Sequence, residues 1–71
     1  MDIHTILSRN IRRLASKRKW SQNLLADFSG ISRSNLSTVL RGQKSPTVRT
    51  LEKIAAALEV EVWELFVDEK K

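Results

Sequence analysis

Seventy-one residues with no cysteine, one histidine and two glycines exclude a disulfide framework and a thiolate metal centre, and leave little for a phosphate loop. No apolar run reaches membrane-spanning length and no signal-peptide pattern opens the chain, so a single soluble, cytoplasmic domain with a modest core is expected. The net charge of +5 is segregated: residues 1–50 hold ten Lys/Arg and two acids, residues 51–71 three Lys and six acids, so a polyanion is expected to meet the first part.

In chain order, Ile3, Leu7, Ile11 and Leu14 form one apolar stripe, widened by Ile6, which predicts a helix over 3–18. Asp2 is placed to cap it, and its charge suits a helix N-terminus. Arg9, Arg12, Arg13, Lys17 and Arg18 lie off the stripe; His4 lies beside it and is assigned no chemistry. Trp20 precedes the cap Ser21, where a hydrophobic residue staples the chain into a second helix over 22–29, and it is expected in the core. Leu25 and Ala26 face inward there, and the small Ala26 lets two helices cross closely. Leu24 and Phe28 either form an exposed apolar pair or pack beside Trp20. Gly30 sits where this helix must stop, since a residue without Cβ enters the left-handed conformation cheaply.

Ile31 fills the corner, and Ser32 caps a third helix over 33–41, with Leu36, Val39 and Leu40 on one side. Gly42 ends it, and Pro46 discourages helix at Ser45. Thr47 caps a fourth helix over 48–58, whose buried face is marked by Val48, Leu51, Ile54, Ala55 and Leu58. After a break at Val60, a short helix over 62–66 closes the core with Leu65 and Phe66, and a polar tail follows. No strand signal, repeat or low-complexity tract is present.

The pairs Ser21-Gln22, Leu25-Ala26, Gly30-Ile31-Ser32, Leu36-Ser37 and Arg41-Gly42 resemble the helix-turn-helix of the phage repressor and Cro type, the xenobiotic-response-element-like family. Pro46-Thr47, Thr50-Leu51, Lys53-Ile54-Ala55 and Ala57-Leu58 continue the match, which covers roughly residues 5–66. The resemblance implies an all-α, compact five-helix domain of the lambda-repressor-like DNA-binding type spanning 1–71, with the helix-turn-helix over 21–41. One departure stands out. Leu40 occupies a position where the family often carries Glu, which braces a nearby Arg; here Leu40 is expected to join the core and Arg41 to be less constrained.

With Leu36, Val39 and Leu40 turned inward, the opposite face carries Arg33, Ser34, Ser37, Thr38 and Arg41, on a helix about as wide as the major groove. The resemblance assigns base reading to Arg33, Ser34 and Thr38, with Ser37 close by. A guanidinium donates two bonds to O6 and N7 of guanine, and the alternative role for Arg33 is a phosphate clamp. The resemblance also places Gln22, and more weakly Asn35, on phosphates. Ser32, Arg41 and Lys44 flank the same groove, and Thr47 heads a helix whose positive end offers another phosphate seat.

These readings converge on a sequence-specific regulator of transcription that binds double-stranded DNA, most simply a repressor. One helix reads few base pairs, so a homodimer on a near-palindromic operator is expected. Its dimer surface is placed at Val60, Glu61, Val62, Trp63 and Phe66, the alternative being that Trp63 covers its own core. The rival reading is a protein-interaction module, such as an antitoxin that binds a toxin through Leu24, Phe28 or Trp63. No nucleophile–base pair, carboxylate pair over a pocket or metal set is visible, so no enzyme activity, cofactor or small-molecule ligand is expected.

Overall fold

The first turn of every α-helix donates to a short polar side chain just ahead of it, and these caps set the element boundaries. The computed structural model describes residues 2–43 and 45–68. It contains α1 (Ile3–Lys17), α2 (Gln22–Ser29), α3 (Arg33–Leu40), α4 (Val48–Leu58) and a 3-10 helix, Val62–Phe66, with no strand among the described residues. The fifth element is thus a single tight 3-10 segment and not an α-helix. The caps are those expected: Asp2 Oδ1 accepts from the Thr5 N–H (3.0 Å), Ser21 Oγ from Leu24 (3.2 Å), Ser32 Oγ from Asn35 (3.0 Å) and Thr47 Oγ1 from Thr50 (3.1 Å).

The backbone hydrogen bond from Thr5 holds the Asp2 carboxyl below its ordinary value. A depressed folded-state value means that the cap contributes stability above the unfolded-state pKa and loses it as pH falls through the folded one. Asp2→Asn keeps a capping oxygen but removes the titration. Its thermal stability is therefore expected to fall less on acidification than that of the wild type, which melts recorded from neutral pH down to about pH 2, below the usual carboxylate range, will check.

Apolar residues at helical spacing meet in one core. Leu7, Ile11 and Ala15 come from α1, Leu25 and Ala26 from α2, Leu36, Val39 and Leu40 from α3, and Leu51, Ile54, Ala55 and Leu58 from α4; Leu65 closes it. Helix α1 lies against α3 and the 3-10 helix, while α2 lies against α3 and α4. Ala26 is fully buried at the corner between α2 and α3. Gly30 adopts φ 73°, and its N–H and that of Ile31 both donate to the Ala26 carbonyl, at 2.9 and 3.2 Å.

The structure corrects three burial expectations. Val48 is 68 % exposed: it is the first residue of α4, and the inward stripe begins one turn later at Leu51. Ile3, at the start of α1, is likewise half exposed, for the same end-of-helix reason. Trp20 is only half-buried: it packs against the edge of the core and shares the rest of its surface with local partners. Phe28 packs against it with ring centroids 4.6 Å apart, and the Arg18 guanidinium lies 5.1 Å from its centre. Leu24 and Phe28 are both exposed, and of the two Phe28 is the one that packs beside Trp20.

Two long-range polar ties lock the C-terminal part to α1. The Asn10 amide, buried beneath the 3-10 helix, donates to the carbonyls of Leu65 and Val67, each at 2.8 Å. Arg18 donates to the Leu58 carbonyl (3.0 Å) and to Glu59 Oε1 (2.8 Å). Glu59 ends α4 at φ 60° without being glycine, and this pairing helps to hold it there.

Candidate nucleic-acid interface

Helix α3 is amphipathic in the sense expected. Leu36, Val39 and Leu40 are each under 5 % exposed, while Arg33, Ser34, Asn35 and Arg41 are exposed. Ser37 and Thr38 are half-buried, since each follows or precedes a core residue and sits on the flank of the cylinder and not on its crest. The Thr38 hydroxyl donates to the Ser34 carbonyl at 2.9 Å, so its methyl and remaining lone pairs are what it offers outward.

The C-terminal end of α3 is anchored by a residue that the sequence did not single out. Ser8 Oγ donates to the Leu40 carbonyl at 2.8 Å, satisfying one of the carbonyls orphaned where the helix stops. Ser8 lies off the apolar stripe, and its partner is 32 residues away, so no local signal marks it. On the same side, His4 Nε2 lies 3.0 Å from Ser45 Oγ and ties α1 to the segment after α3.

Gln22, Ser32, Asn35 and Thr47 are all exposed, with Gln22 and Asn35 in the first turns of α2 and α3. Ser32 and Thr47 spend one lone pair each on capping, and the Thr47 hydroxyl donates to Thr50 Oγ1 at 3.1 Å. Lys44 lies outside the described residues. The proposed pairing residues at the other end are separate from this face. Trp63 is 66 % exposed, Glu61 is exposed, and Val60, Val62 and Phe66 are half-buried against the core. The Glu61 N–H donates to Glu64 Oε2 at 2.8 Å, which fixes the turn that presents Trp63. Among the described residues no three His, Cys, Asp or Glu side chains group as metal ligands, and no helix is long and apolar enough to cross a membrane.

Residues 9–64 match the family model described as Helix-turn-helix. The chain belongs to this family. The chain is 44% identical over 62 residues to the HTH-type transcriptional regulator SlrR of Bacillus subtilis, a match that covers 86% of this chain and 41% of SlrR. Similarity to Control protein C.SmaI of Serratia marcescens reaches 37% identity over 62 residues, covering 87% of this chain and 74% of that protein. Against the HTH-type transcriptional regulator SutR of Escherichia coli the chain spans only 30% of the relative's length. In three dimensions it is similar to the restriction-modification controller protein C.AhdI from Aeromonas hydrophila (TM-score 0.83, 35% identity, 89% of this chain and 96% of that one). The N-terminal DNA binding domain of SinR from Bacillus subtilis superposes with a TM-score of 0.84 at 29% identity, over 96% of this chain and 99% of that one. The all-α helix-turn-helix fold is the one that the Cro-type resemblance implied.

Proposed function

We propose that this chain is a sequence-specific, double-stranded-DNA-binding regulator of transcription, acting as a repressor in the cytoplasm. The observation that carries the reading is the division of α3: three leucine and valine side chains inside the core and Arg33, Ser34 and Arg41 outside it. Arg33 and Ser34 read base edges with help from the flanking Ser37 and Thr38. Gln22, Ser32, Asn35, Arg41, Lys44 and Thr47 hold the phosphates on either side. Relatives named as transcriptional regulators, a competence pilus inhibition repressor and a control protein support regulation as the outcome of binding. The test is selection from a random duplex pool followed by a salt titration. One enriched motif is expected, with an affinity that falls steeply with salt through counterion release; no enrichment and a flat titration would contradict the reading.

Pairing of two copies on a near-palindromic site follows from the short reach of one recognition helix, and the exposed Trp63, next to Val62 that packs on the core, supports the C-terminal end as the surface. Trp63→Ala, weighed in solution at micromolar concentration, is expected to shift a dimeric wild type to monomer. A dimer that survives the substitution removes Trp63 from the interface.

A further inference from the structure

We propose that a cleft between α1 and α2 seats one nucleotide of the DNA backbone, adding Arg12, Ser16 and Lys19 to the phosphate-holding set; the inference rests on the duplex-binding reading above. The cleft, of about 420 Å³, is lined by Arg12, Ser16, Lys19 and Gln22, over Leu25 and Leu40. Arg12, Ser16 and Lys19 follow one another at spacings of four and three, which brings them to one side of α1 and the turn after it. Lys19 adopts φ 60°, and its N–H donates to the Ser16 carbonyl at 2.9 Å.

The cations of this region are not equivalent. Arg9 faces Asp68 at 3.9 Å and Arg18 binds Glu59 at 2.8 Å, both toward the acidic C-terminal part. The two that line the cleft meet no carboxylate among the described residues. Arg12 makes one long contact, Nε to Ser8 Oγ at 3.4 Å, which leaves its terminal nitrogens for an anion. Gln22 forms the opposite wall and is the first residue of α2, so the cleft opens directly onto a phosphate position already assigned. The floor belongs partly to the recognition helix itself, through Leu40. A cationic mouth over an apolar floor fits a phosphate joined to a deoxyribose ring, and the cleft's continuity with Gln22 and α3 favours the strand that those elements hold over an unattached small anion.

The test measures affinity against salt for a selected duplex, using Arg12→Ala, Lys19→Asn and the pair. Asparagine tolerates the left-handed backbone at residue 19, and melting curves confirm that each variant is folded. Each single change is expected to weaken binding roughly three- to ten-fold on every sequence alike and to reduce the slope of log K against log salt by up to about 0.9, with the pair reducing it further. Folded variants with wild-type affinity and slope would overturn the cleft proposal while a salt-dependent wild type leaves the duplex reading intact. A wild type with no salt dependence would overturn both. Loss of affinity on one motif only, with the slope unchanged, would also count against a backbone seat.

Discussion

Replacing Asn10 with Ala is expected to lower the unfolding free energy by about 2–4 kcal/mol, because two carbonyls lose a buried donor and a small cavity remains. The amide is 2 % exposed, and its two hydrogens are spent on Leu65 and Val67, where the 3-10 segment that covers the core ends. Water cannot readily replace it at Leu65, whose side chain is fully buried. Asn10→Asp is expected to be no better, since a carboxylate presents acceptors to acceptors. Urea denaturation of both variants checks the magnitude. A loss well under 1 kcal/mol would mean that the C-terminal segment is held by apolar packing alone, through Leu65 and Phe66.

Substitution of Arg33 by Ala is expected to remove about 1–3 kcal/mol of discrimination at one base pair, the worth of a bidentate contact to guanine. Among the described residues nothing ties Arg33 down: it is exposed at the first position of α3, one residue after a cap, and so projects from the end of the helix that the proposed binding mode brings into a groove first. The phosphate-clamp alternative predicts a different pattern, namely a uniform loss across sequences with a reduced salt slope. Selection from a random pool by wild type and variant, side by side, separates the two. A preference that relaxes at a single position supports base reading, and an unchanged preference removes Arg33 from the reading set.

Local rules made most of the fold legible. Asp2, Ser21, Ser32 and Thr47 are recognisable as caps because the accepting oxygen and the donating N–H lie three residues apart, and Gly30 because a corner at that point needs a positive φ. The apolar repeat located the core but overran at helix starts, where Ile3 and Val48 have no turn before them to pack against. Asn10 and Ser8 were not legible, since their partners lie 55 and 32 residues away or more and neither residue type advertises a buried donor. Trp20 shows a limit of size: a large ring at the entrance to α2 is shared between core and surface, and Phe28 and Arg18 complete its surroundings from outside.

The candidate site divides in the same way. Periodicity separates Leu36, Val39 and Leu40 from Arg33, Ser34 and Arg41, so the outward face was readable as a face. It does not resolve the flank positions, and Ser37 and Thr38 are half-buried where a helical wheel shows them merely polar. The cleft at Arg12, Ser16 and Lys19 was not readable at all, because it exists only once the end of α1, the start of α2 and Leu40 of α3 have come together.

The most direct test is a residue-by-residue map of backbone amide shifts as a selected duplex is added to the labelled protein. The largest changes are expected at Gln22 and along the outer side of α3, from Arg33 to Thr38, with little change at Trp63. Saturating duplex that moves Phe28 and Leu24 while leaving Arg33, Ser34 and Gln22 where they were would contradict the assignment of α3 to the groove.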